Sequence, residues 1–256
     1  MRLPILISGF IVFIISMFLA FFLKYNHFYE FMLVGLFLIL FYLAKSLNKK
    51  IYFKLYTIFI FLGLMVEFVI QFIAKLWYYS YSSYLEYTLL IFLAYPLGGI
   101  VMVQTFVFFR DIFIKKHDKK KINIQILKIL GLIFLIITLL TVVFELRYGL
   151  LYSGFVSFFT ATLAAFFYIN YKSKQTSYLK CLIEKPASYI FITLLASYVN
   201  AIIHEFPNTF ARQWAYQNFP LNHIMILNIP VVVFFIGWIG LTIIPVSVYF
   251  YVLSKK

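Results

Sequence analysis

The chain has 256 residues and a formal net charge of +14, with 64% hydrophobic and 12% charged residues and a mean hydropathy of +0.98. Soluble domains carry about 25% charged residues; here too little polar surface remains to cover a water-soluble globule, so the chain reads as an integral membrane protein. The same figures exclude a disordered chain, a disulfide scaffold and a nucleic-acid-binding domain, and the single cysteine, Cys181, excludes an internal disulfide and a cysteine metal cage.

About 20 apolar residues are needed to cross the hydrocarbon core as a helix. Runs of this kind occupy Leu3–Leu23, Phe31–Ala44, Leu55–Ile73, Tyr87–Ile114, Ile124–Phe144, Gly149–Ile169, Ser188–Ile203 and Ile224–Leu253. The expected fold class is an all-α polytopic membrane bundle of about eight transmembrane helices. No ten-residue alternation suggests a β-barrel. The first run is too long for a signal-peptide core and ends without a small-x-small site, so it is read as an uncleaved helix. The last run, with Pro230 and Pro245, reads either as one kinked helix or as two short segments.

Charge orients the bundle. Eighteen of the 22 basic residues fall in the termini and in the loops after the second, fourth and sixth runs, including Arg2, Lys45 and the stretch Lys115–Lys121. Only Lys24, Lys75, Arg147 and Arg212 fall on the other side. The positive-inside rule makes the first set cytoplasmic. Both termini are then inside, which requires an even number of crossings, and the expected location is the cell membrane. Membrane lipids are the expected surroundings. Lys115–Lys121 reads as a solvated, lipid-surface loop, with docking of a cytoplasmic partner as the alternative. No Walker-type loop is present, and nothing calls for a cofactor.

Two segments match at an offset of 137. Ala74-Lys75-Leu76-Trp77-Tyr78-Tyr79 and Ala211-Arg212-Gln213-Trp214-Ala215-Tyr216 are both Ala-basic-x-Trp-x-Tyr, and each precedes a span with an early proline, Pro96 or Pro230. This predicts a parallel duplication: a four-helix unit at 1–114, a basic loop at 115–123 and a second unit at 124–256. Four crossings per unit place the pseudo-two-fold axis along the membrane normal.

Acidic residues inside spans are costly, and the chain has only eight in all. Glu67 lies deep in the third run, with Gln71 and Lys75 at helical spacing. Ser197, Asn200 and His204 form a second polar stripe beside Glu205, and the helix is expected to end or break at Pro207. Glu145 and Arg147 form a third cluster at the same depth. Glu67, Gln71, Glu145, Arg147, Asn200, His204, Glu205 and Arg212, with Trp77 and Trp214 at the interface, are therefore the candidate substrate or proton pocket, facing outward. The plain alternative is that Glu and Arg pair across helices and fix packing. Expected partners are Gln71 or Lys75 for Glu67, and Arg147, Arg212 or His204 for Glu205. A metal site from His204, Glu205 and His223 is a weaker option. Adjacent helical residues diverge by about 100° and no zinc motif is present, so no metal is assigned.

The pattern Glu205…Trp214-x-Tyr216, then a span with Pro230 and Trp238, resembles uncharacterised multi-pass proteins of spore-forming, low-GC Gram-positive bacteria. More distantly it is similar to membrane carotenoid-modifying enzymes of the lycopene-cyclase and carotenoid-hydratase types, which embed acidic and aromatic residues in helices. The Glu-Glu and Gly-rich patterns of those enzymes are missing here, and no catalytic role is carried over. Three functions follow from the residues. The first is transport or flipping of a small or amphiphilic solute, with Glu67 coupling protons. The second is an enzyme acting on an isoprenoid or other lipid, with Glu67 and Glu205 as acid and base. The third is a non-catalytic membrane subunit. Transport is the favoured reading.

Overall fold

The computed structural model describes residues 3–25, 27–44, 47–81, 83–114, 123–148, 153–226 and 228–255. Arg2, Lys45 and the basic stretch 115–121 lie outside these. Helix α1 (Leu3–Phe21) and α2 (Phe28–Leu43) form an antiparallel hairpin; α3 (Lys49–Val66) follows, capped by the Asn48 side chain, which accepts from Ile51 N at 3.0 Å. It runs on as a π-helical stretch, Glu67–Ile73, into strand β1 (Trp77–Tyr79). A capping box at Ser83 and Glu86 starts α4 (Tyr84–Leu89), which passes through π-helical Leu90–Ala94 into α5 (Tyr95–Phe113). The second half contains the hairpin α6 (Ile124–Tyr148) and α7 (Ser153–Ser173), the short α8 (Tyr178–Glu184) and α9 (Pro186–Ala211). Then come β2 (Trp214–Tyr216), the pair β3 (Met225–Ile226) and β4 (Ile229–Pro230), π-helical Val233–Gly237 and α10 (Trp238–Ser254).

Seven helices among the described residues are long and apolar enough to cross a membrane; α2, with 16 residues, is apolar but shorter. The chain is a multi-pass, all-α membrane protein by this measure. Large apolar side chains on α1 and α6, such as Ile14 and Leu139, stand exposed, as lipid-facing residues do. The centre is α5, buried along most of its length.

The chain runs to and fro along one axis. Phe21 at the end of α1 meets Phe206 and Phe210 near the end of α9, and Phe28 at the start of α2 stacks on Trp214. The strands lie at this end. Phe113 at the far end of α5 meets Phe191 near the start of α9, so the opposite end holds the starts of α1, α3 and α9 and the ends of α5 and α10. Leu3 and Ser254 are therefore at the same end of the bundle. Helix contacts repeat between the halves: α1 packs on α2 and α6 on α7, α2 on α5 and α7 on α10, α3 on α5 and α9 on α10.

Two expectations change. The last apolar run is neither one kinked helix nor two helical pieces: Ile224–Pro230 contributes the β3–β4 pair, and the helix begins beyond it, with Pro245 inside α10. Helix α9 does not break at Pro207 but continues to Ala211. Only four residues follow the proline, and they are held from beyond it: Arg212 takes up a left-handed conformation (φ 56°) with its N–H on Asn208 O. The Asn208 side chain in turn pairs with Trp214, donating to its carbonyl at 3.0 Å and accepting its N–H at 3.2 Å.

Close approach of α1 and α2 depends on paired glycines. A Cβ on Gly35 would stand 2.7 Å from Phe13 N, and one on Gly9 would stand 2.9 Å from Ile39 N. Both clashes are with backbone, which cannot swing aside, and in lipid such backbone proximity is what holds helices together. Gly35→Val should therefore lower stability by about 1–3 kcal/mol, read as a lower melting temperature of the detergent-purified protein. An unchanged melting temperature would contradict this packing.

Candidate functional site

Strands β1 and β2 pair antiparallel, with Trp77 opposite Tyr216, Tyr78 opposite Ala215 and Tyr79 opposite Trp214. They are the two Ala-basic-x-Trp-x-Tyr segments. The left-handed residue that turns each chain into its strand is the matching basic residue, Lys75 (φ 47°) or Arg212 (φ 56°). Strand side chains alternate in direction, so residues 77, 79, 214 and 216 share a face while Tyr78 and Ala215 point away. The shared face closes one end of a cavity of about 190 Å³ that runs down between α3, α5, α7 and α10 and is lined by Phe59, Gly63, Gly98, Met102, Phe158 and Leu241, among others. Its walls are mainly apolar and aromatic.

Two carboxyls meet this chamber. Glu205 lines it directly and is fully hydrogen-bonded. One oxygen accepts from the Trp214 indole at 3.2 Å; the other accepts from Trp238 Nε1 at 3.1 Å and from the Tyr216 hydroxyl. Glu67, on the π-helical stretch after α3, sits behind the wall made by Tyr95, Tyr79 and Trp77. Tyr95 donates to one Glu67 oxygen, and Tyr79 donates to Tyr95 at 3.1 Å. Glu67 Oε2 and Trp77 Nε1 are buried without a hydrogen-bond partner. Burial, with the nearby carboxyls second, pushes the Tyr79 and Tyr216 hydroxyls well above the usual phenol range, so both remain donors.

Local geometry brings these donors in. A Cβ on Gly63 would stand 2.7 Å from the Tyr95 Cβ, so only glycine lets the Tyr95 side chain cross to Glu67. Tyr95 and Trp238 each follow directly on a five-residue π-helical stretch, which re-aims the helix face that comes after it; π-bulges often mark functional sites. The strand pair is pinned from the side by Gln213, which donates to Glu30 Oε1 at 3.1 Å and to the Tyr81 hydroxyl at 2.7 Å, while Tyr81 donates to Glu30 at 3.1 Å.

The residues named from sequence divide into groups. Trp77, Trp214 and Glu205 line the chamber, and Glu67 adjoins it. His204 is buried behind Tyr29, whose hydroxyl lies 3.0 Å from its Nδ1; its Nε2 has no partner, and its ring meets Trp238 edge-on. Gln71 donates to Tyr87 at 3.1 Å, and Asn200 donates to Ala196 O of its own helix at 2.8 Å; neither reaches the chamber. Arg147 and Arg212 are exposed, Arg147 lying over the Tyr148 ring, and Glu145 is half-buried on α6. His223 is exposed, away from His204. The expected partners of the two acids are not the ones found. No ion pair among the described residues includes Glu67 or Glu205, and their donors are aromatic. Tyr29, Tyr95 and the Glu30–Gln213 clasp were not singled out from sequence as site residues; Tyr79, Tyr216 and Trp238 stood in the quoted motifs but were not assigned to the pocket. The alternation Trp-x-Tyr in two matching segments was the available signal for a strand pair.

Comparison with family models, with curated proteins and with solved structures gave no match. The resemblance to carotenoid-modifying enzymes therefore rests on the residues quoted for it alone.

The two carboxyls differ in how well they are served, which gives a test. Tyr95→Phe removes the phenol that donates to Glu67 directly and leaves Tyr79 and Trp77 beside it. Tyr216→Phe leaves Glu205 with two indole donors. A buried polar group left without a partner costs about 1–3 kcal/mol, so Tyr95→Phe should lower the melting temperature more than Tyr216→Phe. Equal losses, or the reverse order, would contradict the geometry.

Proposed function

We propose that this protein carries or flips an amphiphilic substrate that enters the chamber from the lipid, with Glu67 and Glu205 taking up and releasing protons. The observation that carries this reading is a pair of buried carboxyls with no basic partner among the described residues, set against an aromatic chamber. Intramembrane acids without a structural ion pair mark substrate or proton paths. The strand pair covers the chamber at one end and the packed side chains around Phe106, Tyr178 and Phe250 fill the other. Entry from the side, between α3 and α7, suits a substrate already dissolved in the bilayer.

In this reading α2 is the eighth crossing, both termini are cytoplasmic and the strand pair faces outside. The shared end of Leu3 and Ser254 and the 18-to-4 division of basic residues support it. The segments 1–114 and 124–256 are then duplicated units. The matched helix contacts, the antiparallel pairing of equivalent motifs and an acid served by aromatic donors in each half support that relation. A basic loop at 115–121 facing the cytoplasm remains available to a partner.

A second reading is favoured by the apolar walls and the covered end: an enzyme acting on an isoprenoid or other lipid, with the two acids donating and accepting protons and the rings steadying a carbocation. This is also the function that the carotenoid-enzyme resemblance implies.

Flux separates the two. Proteoliposomes would be given a pH gradient and a panel of fluorescent short-chain amphiphiles with anionic, neutral, zwitterionic and cationic heads. Gradient-driven movement of at least one probe is expected. Glu67→Gln should reduce it by about tenfold or more while leaving the melting temperature close to wild type, because the amide is nearly isosteric. Normal flux with a lowered melting temperature would assign Glu67 to packing. Absence of flux together with altered host lipids would favour the enzyme.

A further inference from the structure

We propose that the head group bound in this chamber is a cation, a quaternary ammonium or comparable onium group on an apolar body. The inference rests on the reading of the chamber as the ligand site and adds the chemical class of the ligand.

Four observations carry it. First, the chamber is lined by Trp77, Trp214, Trp238, Tyr29, Tyr79 and Tyr216, and ring faces attract cations most strongly where water is excluded. Second, Glu205 opens onto the chamber and Glu67 lies behind its wall, yet no lysine or arginine among the described residues lines it. The basic residues at this end, Lys24, Lys75, Arg147 and Arg212, are all exposed. Third, the lysines and arginines that do lie over rings use Tyr249, Tyr148, Tyr168, Tyr171 and Tyr251, none of which belongs to the chamber. Fourth, Glu67 Oε2 is buried without a hydrogen bond, and the groups around this carboxyl, Tyr95, Tyr79 and Trp77, are neutral donors, so no positive charge among the described residues offsets its own. An anionic head would face two carboxyls in a medium of low dielectric constant, where repulsion is strong. A cationic head supplies the charge that the site lacks. A quaternary centre has no N–H to satisfy, so ring faces and the field of the carboxyls hold it without an acceptor on the apolar walls.

Cation and proton then compete for the same carboxyls. The cation binds the deprotonated site, so affinity should rise with pH. The groups facing Glu205 are Tyr216, Trp214, Trp238 and, through space, Tyr29. Those facing Glu67 are Tyr95, Tyr79 and Trp77. His204 precedes Glu205 on α9 and meets the Trp238 ring edge-on.

The test uses the full chain in lipid nanodiscs and follows tryptophan fluorescence on titration with benzyltrimethylammonium. Its neutral carbon isostere, neopentylbenzene, and the anion benzylsulfonate are the comparison ligands. Wild type should bind the ammonium at least about tenfold more tightly than either. The preference should fall on acidification from about pH 8 to pH 5 and should be weakened by Glu67→Gln. If that variant does not fold, the pH series on wild type decides. Equal binding of the neutral isostere, or binding of the ammonium that does not vary with pH, would overturn the cationic head. Either result would leave the transport reading to be judged by flux alone. Conversely, a cation that binds as described but is not moved in proteoliposomes would overturn transport and leave this inference standing.

Discussion

A carboxyl group in a hydrocarbon environment must be given hydrogen-bond donors or a counter-charge, because leaving it bare costs several kcal/mol. In this protein the donors are aromatic. Glu205 receives two indole N–H groups and a phenol, and Glu67 receives a phenol at the end of a two-tyrosine chain. Such donors serve the oxygens, Glu67 Oε2 excepted, without cancelling the charge. An arginine in their place would form a closed ion pair with nothing left for a ligand. In the proposed function, the aromatic solution keeps the acids able to exchange protons and gives the chamber its cation-attracting walls at the same time.

Much of the backbone irregularity serves that delivery. The antiparallel strand pair places four rings over one end of the chamber; without pairing, its short segments would expose unsatisfied N–H and C=O groups. Lys75 and Arg212 adopt left-handed conformations that cost a non-glycine residue about 1–2 kcal/mol each, and the hydrogen bonds that flank the strand pair, Ser80 N on Gln213 O and Gln217 N on Leu76 O, both at 2.8 Å, offset this strain. The π-helical stretches ahead of Tyr95 and Trp238 carry the third and fourth donors of the site. Far from the site the bundle relies on regular means: small residues between α1 and α2, and hydroxyl pairs between α6 and α7, such as Thr138 with Thr160 at 3.0 Å.

The helices were legible in the sequence because a membrane span is long and apolar along its whole length, and each of the eight runs contains a helix. The alternation of basic loops agreed with a chain that reverses at each end. Glu67, Glu205, Trp77 and Trp214 were legible as well, since an acid is rare in a span and a repeated Trp motif is rare anywhere. The strand pair was not legible: three residues are too few to show a period of two, and its partner lies 137 positions away. Tyr95 was hidden among many aromatics, and Trp238 was visible in a motif but not as a donor to an acid. What distinguishes them is a π-helical turn or a glycine such as Gly63, and neither leaves a mark in composition. The basic partners expected for the two acids were expected from charge alone; Arg147 and Arg212 instead extend outward from the helix ends, as long basic side chains do where water is near.

The account depends on the two matching segments meeting at one end of the bundle over the acids, and a cross-link measures this directly. Tyr78 and Ala215 are opposite one another in the strand pair and point away from the chamber, so cysteines placed there would fall within the Cα separation of about 4.4–6.8 Å that a disulfide spans. The native Cys181 is buried on α8, outside the strand pair, and can be replaced. With Tyr78→Cys and Ala215→Cys in native membranes, oxidation should form the disulfide in high yield, and before oxidation both thiols should react with a membrane-impermeant maleimide from outside the cell. Failure to cross-link, or labelling of the two positions from opposite sides of the membrane, would contradict the paired motifs and the chamber beneath them.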